Sequence, residues 1–411
     1  MPDRNWSAER VRANFRLDAF SGLMAGVYIG VIAAFLPVVV RRMGGSTTDV
    51  ALVVAGPFIG HLFSPVFGYL LARFAPVRIT AVTAVAGRLV FLIGVLIVTT
   101  PFALALVSVT MWVISIANMA SYATLMQGIY PDSERASAMG KVRVGVSIAS
   151  IASATLAGLF IDQVSATIVF AVAAAIAIPG GIAFGRIRHD PPAIPPVRRR
   201  PSQIAVDVWR DRRYRRLLLS FTVFGFGNLM NAAIYPILLV DHFDAPNTFV
   251  GAMYAVQSAT MIVAYFVWGR VIDRGSSLRL SLLNQVLVVL VPIGYIVAPS
   301  MWALLPVAVV TGITVAGGEI TFYTNVVQLA PRERVAEYAA AQSLLLGLRG
   351  TAAPFIASGL LVSVEPKAVL LAGLFFMVAG CAVFAGALRE PKAALSPILV
   401  SPPLPAESAG D

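Results

Sequence analysis

Twelve windows of predominantly apolar residues run through the chain, and a stretch of ~20 residues at ~1.5 Å rise per residue spans a hydrocarbon core ~30 Å thick. They lie at 17–40, 49–72, 79–99, 102–129, 142–162, 165–186, 217–240, 248–272, 279–299, 301–329, 337–362 and 367–388. A backbone in lipid must satisfy its own hydrogen bonds, so each window is predicted to be a helix and the chain an all-α integral membrane protein. Composition agrees: 58% of residues are hydrophobic and 12% charged, about half the charge of a soluble domain.

The chain also states itself twice. Ala33-Ala34-Phe35-Leu36-Pro37 returns as Ala232-Ala233-Ile234-Tyr235-Pro236, Gly68 to Arg73 returns as Gly269 to Arg274, and Pro131 returns as Pro331, at offsets of 199, 201 and 200 residues. Such a repeat predicts two pseudo-symmetric six-helix bundles with a pathway between them. The expected units are a cytoplasmic N-terminal segment (1–16), a first bundle (17–186), a basic linker (187–216), a second bundle (217–388) and a disordered tail (389–411) rich in Pro, Ala and Ser.

A net charge of +11 would suit nucleic acid, but the placement of the charges argues for membrane topology instead. With the N-terminus inside, 26 of the 31 Lys and Arg fall in inner segments, 3 (Arg41, Arg42, Lys367) in outer loops and 2 (Arg88, Arg349) within helices. The positive-inside rule then puts both termini in the cytoplasm and removes nucleic acid as a partner. The linker carries 10 of these charges between Arg186 and Arg216. Within it, Ile204, Ala205, Val208 and Trp209 at helical spacing predict an amphipathic helix on the inner membrane surface. No cleavable signal peptide is expected, because the apolar run after residue 16 is far longer than a signal core. The lone Cys381 excludes an internal disulfide.

Three charges stand out deep inside predicted spans, where each costs ~2.5–3.5 kcal/mol on insertion scales and so marks a functional candidate. Glu319 in the tenth helix and Arg349 in the eleventh sit at similar depth, roughly 16 and 18 Å from the inner ends. A pair between them has two readings: a static ion pair holding two helices together, or a carboxylate whose protonation or substrate binding alters the pair. Arg88 in the third helix, roughly 14 Å deep, either bonds helix carbonyls or contacts an anion. His61 in the second helix is either a helix–helix hydrogen bond or a titrating group. Thr48, Asp49, Asn247 and Thr248 read as helix-start residues. The sequence has no phosphate-cradling loop and no His/Cys/carboxylate cluster, so no cofactor or metal is expected and ATP is not the direct energy source. No catalytic constellation gathers at one membrane face, so an enzyme is not expected.

Twelve helices in two repeats, a basic central loop and both ends inside resemble the major facilitator superfamily over roughly residues 15–390. The loop after the second helix of each half carries the sharper marker: Gly, three residues, Asp, Arg, then usually Gly and further basic residues. The second half has Gly269, Asp273, Arg274, Gly275 and Arg279; the first keeps Gly68, Arg73 and Arg78 but has Ala72 at the acid and Phe74 at the second glycine. In the family this cassette closes an inner gate, which would set the Asp273 carboxylate against the positive dipole end of the fifth helix, near Lys141 and Arg143. With the first-half acid missing, Arg73 meeting Glu337 is a substitute latch.

The resemblance also implies that helices 1, 4, 7 and 10 line the central cavity. They offer Tyr28; Asn118 and Tyr122; Asn228, Asn231 and Tyr235; and Glu319 and Tyr323. Asn118 with Tyr122, and Glu319 with Tyr323, are four residues apart and share a helix face. They fit a midplane substrate site, with interhelical hydrogen bonding as the competing reading. The fifth helix lacks the proline of the glycine-rich run that many proton-coupled drug exporters carry there.

Together these features imply a secondary active transporter in the plasma membrane. It would move a small molecule by alternating access, coupled to protons or another ion, and work as a monomer in the bilayer. Family frequency leans the reading toward efflux of amphipathic compounds. The Asn cluster, the two arginines and the missing fifth-helix signature suit uptake or exchange of a polar or anionic metabolite. A non-transporting scaffold or sensor is a distant third.

Overall fold

The computed structural model describes residues 7–71, 74–189, 201–274, 276–330 and 334–388. Among these the chain is helical throughout, with no strand. The helices are α1 (Ala8–Arg42), α2 (Thr47–Leu71), α3 (Pro76–Ile97), α4 (Pro101–Ile129), α5 (Asp132–Val164), α6 (Ala166–Phe184), α7 (Pro201–Arg210), α8 (Arg212–Ile237), α9 (Asn247–Arg274), α10 (Ser277–Val297), α11 (Leu304–Leu329), α12 (Val335–Leu360) and α13 (Pro366–Leu388). Ten are long and apolar enough over their described lengths to cross a membrane, and α2 and α4 add the shorter apolar stretches Thr47–Phe63 and Pro101–Ile116. This is the architecture of a multi-pass membrane protein.

Local chemistry sets the helix starts. Thr100 caps α4, its Oγ1 accepting from Ala103 N at 3.3 Å, and Pro101 follows in the first turn, where a missing N–H costs nothing. Ser165 separates α5 from α6 and caps the latter, accepting from Ile168 N at 3.3 Å. Two helices begin well before their apolar windows. The first starts at Ala8, within the segment expected to end at 16, and the fifth starts at Asp132 rather than 142. Charged residues end an apolar window, but Lys, Arg and Glu are good helix formers and do not end a helix.

The repeat is visible in the packing. In the first half α1 packs on α5 and α6, α3 on α4 and α6, and α2 on α4. In the second half α8 packs on α12 and α13, α10 on α11 and α13, and α9 on α11. These are the same five pairings, displaced by one copy. The halves meet along two seams, α2 against α12 and α5 against α9, and the repeat converts one seam into the other.

The seams are fastened most densely at the end of the bundle where α1 and α8 finish. Arg41 Nε lies 3.0 Å from both Asp241 oxygens and its Nη2 2.5 Å from one of them. Arg42 donates to the Ala245 carbonyl, and Asn247 donates to Asp162. Thr47 and Thr48 meet Ser358 at 2.9 and 3.1 Å. The Ala-Ala-x-x-Pro repeat shapes this end. Pro236 lacks the N–H for a regular helical bond, and the chain beyond it widens into a π-helical turn at Leu238–His242, which carries Asp241. Arg41 and Asp241 are 200 residues apart, so equivalent turns of the two copies face each other.

Candidate functional site

Between the halves lies a cavity of about 440 Å³, walled by α1, α3, α5 and α6 on one side and α9 and α11 on the other. Its surface is mostly apolar, and polar side chains are set into it: Asp18, Thr80, Arg88, Arg143, Gln257 and Glu319 contribute, with Tyr254 and Tyr265. Its centre of charge is a contact across the halves. Arg143 Nη1 of α5 lies 2.6 Å from Glu319 Oε2 of α11, and the Tyr265 hydroxyl of α9 donates to the same oxygen at 2.5 Å. Both charged side chains remain about half open to the cavity, 51% for Arg143 and 44% for Glu319.

Glu319 therefore pairs with Arg143 and not with Arg349. Arg349 instead is half-buried between α12 and α8, its Nη1 donating to the Phe221 carbonyl. The slot it fills exists because residue 225 is glycine: a Cβ there would lie 2.6 Å from the Arg349 Cζ. Equal depth did not produce contact because α12 packs on α2 and α8, turning this face away from α11. The charge count puts Arg143 in an inner segment, at the very start of the fifth apolar window. Because α5 begins at Asp132, Arg143 sits eleven residues into the helix, roughly 16 Å along its axis.

The other sequence candidates divide. Arg88 lines the cavity and donates from Nη1 to the Ala177 carbonyl of α6 at 2.6 Å. Tyr28 is buried in the first-half core, edge-on to Phe91 at 5.7 Å, and is not part of the cavity wall. Asn231 points at α13, with Nδ2 3.6 Å from Met377 Sδ. Tyr235 stacks on Tyr295 of α10 at 4.3 Å. Asn228 is half-buried in α8, away from the described cavity wall. Of the expected cavity helices α1 and α11 line the described wall, while α8 contributes no residue to it; Tyr28 lies on another face of α1, and these side chains serve helix packing.

Asn118 and Tyr122 belong to α4 and Tyr323 to α11, but their side chains lie outside the described residues, as do those of Asp273 and Arg274 in α9; Gly68 lies in α2. Arg73 itself is outside them. Gly269 lies in α9 with open space where a Cβ would stand. The expected meeting of Arg73 with Glu337 therefore also lies outside the described residues; within them Glu337 accepts from Arg334 Nε at 2.7 Å, and Arg334 Nη2 reaches Asp207 of the linker helix α7 at 2.9 Å. His61 forms a seam contact, its Nδ1 2.8 Å from Ser343 Oγ. Sequence reading missed Arg143, Tyr265 and Gln257 as wall residues. A signal for Arg143 was present, since Ala138 and Val142 continue the buried face of α5 back toward Asp132.

The comparisons with known proteins agree with this geometry. The Major Facilitator Superfamily model matches residues 19–231 and again 217–407. No curated protein sequence matches the chain. Among solved structures, the nucleoside transporter NupG superposes with a TM-score of 0.69 at 13% identity, covering 93% of this chain and 100% of that one. A bacterial homolog of the human lysosomal transporter Spinster, in an inward-facing and unoccupied conformation, superposes with a TM-score of 0.67 at 15% identity over 93% and 98% of the two chains. Identities this low speak for the fold, and the family model, matching nearly the whole length in two copies, shows that the chain belongs to the Major Facilitator Superfamily of transporters.

Proposed function

We propose that this secondary transporter moves a polar small molecule across the plasma membrane by alternating access, with protons as the coupling ion. The termini and the Asp132 end of α5 face the cytoplasm, and the Arg41–Asp241 end faces outward. The single observation that carries the reading is Glu319: an intramembrane carboxylate open to the cavity, held by an arginine and a tyrosine from two other helices. Protonating it removes the charge that Arg143 holds across the halves, so the proton and the opening of the seam are linked. The charged and hydrogen-bonding groups set into the cavity wall, Arg88, Arg143, Gln257 and Glu319, favour a cargo with polar groups over the amphipathic compounds that family frequency suggested.

The experiment is flux in proteoliposomes under an imposed pH gradient, with internal pH followed during addition of polar metabolites. Glu319→Gln is expected to lose gradient-driven accumulation and keep counterflow exchange. Full gradient-driven flux in that variant would remove Glu319 from the coupling role.

A further inference from the structure

We infer that the cavity contains an anion subsite on α3, built on Arg88 and Thr80, and that the cargo carries a carboxylate or a phosphate. The inference rests on the transport reading above and adds the class of substrate. Thr80, Ala84 and Arg88 all line the cavity. Spaced by four residues each, they form one stripe of a single helix face, ~12 Å from end to end.

The charges in the cavity are not equivalent. Arg143 and Glu319 neutralise each other. Asp18 is buried and accepts from the Tyr130 hydroxyl at 2.9 Å. Arg88 has no carboxylate partner among the described residues; its contact is a neutral carbonyl, Ala177 O. One such bond uses a single donor of the five on a guanidinium. A neutral carbonyl also leaves the positive charge uncompensated, which is costly at membrane depth. Thr80 supplies the second observation: it is 3% exposed, its Oγ1 has no hydrogen-bond partner among the described residues, and it stands on the same cavity wall. A buried hydroxyl without a partner is a cost that a ligand group removes.

The two groups divide the cargo. The planar fork of Arg88 takes a carboxylate or phosphate through paired N–H···O bonds, and Thr80, two turns away, takes a second polar group on the same molecule. The volume of about 440 Å³ is that of a metabolite pocket.

The test is ligand binding to the purified full-length protein in detergent, followed by thermal shift and by titration at constant ionic strength. The probes are lactate, benzoate and glycerol 3-phosphate against lactamide, benzamide and glycerol, with lysophosphatidate to separate a lipid headgroup from a free phosphate. At least one anion is expected to bind well above its neutral analogue. Truncating one partner of a buried charge pair costs 2–5 kcal/mol, so Arg88→Gln, which keeps a donor for Ala177, should weaken that anion by ~30-fold or more. Arg88→Lys should recover part of the loss, and Thr80→Val should weaken the anion by a smaller factor. Tighter binding of lysophosphatidate than of glycerol 3-phosphate would support the subsite and identify its ligand as a lipid phosphate.

Equal binding of anions and neutral analogues by the unmodified protein, no anion binding at all, or unchanged anion affinity in Arg88→Gln would each overturn the inference. The anion-to-neutral comparison in the unmodified protein decides the matter even where a variant fails to fold. Anion binding that survives in Glu319→Gln separates this subsite from the coupling reading.

Discussion

Gly158 of α5 and Gly251 of α9 face each other across the halves, and replacing either with alanine tests whether their seam holds the Arg41 end closed. A Cβ on Gly251 would lie 2.8 Å from the Ala154 carbonyl and 3.3 Å from the Gly158 Cα; one on Gly158 would lie 2.8 Å from the Asn247 carbonyl. The obstructing atoms are backbone and cannot rotate away, so the helices must part by roughly half an ångström to regain ordinary contact. Overpacking of this kind costs ~1–3 kcal/mol. The gain in helix propensity from Gly to Ala, ~1 kcal/mol, is common to both conformations and cancels. The strain falls only on the state in which this end is closed, so the equilibrium should move ~5- to 150-fold toward the state open there. The lone cysteine makes the assay simple: Cys381→Ser provides the background and Ile29→Cys, on the cavity wall, the reporter. A membrane-impermeant maleimide added from the Arg41 side should label the reporter at least ~5-fold faster in Gly251→Ala than in the parent. Unchanged labelling in both alanine variants, with folding intact, would refute the reasoning.

Three further outcomes follow from the same geometry. Arg41→Ala and Asp241→Ala should each speed that labelling, with a coupling of ~0.5–1 kcal/mol in a double-mutant cycle because both side chains are partly exposed, and the exchanged pair Arg41→Asp with Asp241→Arg should restore the slow rate. Ser343→Ala and His61→Ala should each lower thermal stability by ~0.6 kcal/mol, the double variant losing no more than the worse single, as expected for one shared interhelical bond. Gly225→Ala should lower the melting temperature through ~1–3 kcal/mol of overpacking against half-buried Arg349, while Gly269→Ala, where a Cβ meets nothing within 4 Å, should raise it slightly through up to ~1 kcal/mol of helix propensity.

The fold was legible because its causes are one-dimensional. Apolar windows, the 200-residue repeat and Pro37 with Pro236 can all be read along the chain, and the matching helix pairings of the two halves express them. The site was legible only in part, because helix face and neighbour are three-dimensional. Glu319 and Arg88 were found because an intramembrane charge is conspicuous in any window. Their partners were not, because depth along a helix says nothing about rotation about its axis. Thus Arg349 at the expected depth turned to Phe221, and Asn231 on an expected cavity helix turned to Met377. Arg143 was missed as a wall residue because, at the first turn of its apolar window, it counts as an inner-segment charge, although α5 begins at Asp132 and carries it well into the bundle.

The repeat explains why the polar machinery collects beside one seam. His61 and Ser343 join α2 to α12 through a neutral hydrogen bond. Displaced by 200 residues, the same positions are Met261 and Arg143 on the α9–α5 seam, and both line the cavity. The copies therefore place equivalent backbone at equivalent depth and differ in what they mount there. One seam carries a short-range contact between uncharged partners. The other carries a guanidinium whose acid, Glu319, comes from a third helix and whose hydroxyl neighbour, Tyr265, lies one turn beyond Met261. A symmetric rocking motion strains both seams alike. Under the proposed coupling, among the described residues a proton or a charged cargo acts at the α5–α9 seam, where the cavity-facing Arg143–Glu319 pair crosses between the halves. Duplication thus supplies the two-sided motion, and divergence between Ser343 and Arg143 gives that motion a chemical handle.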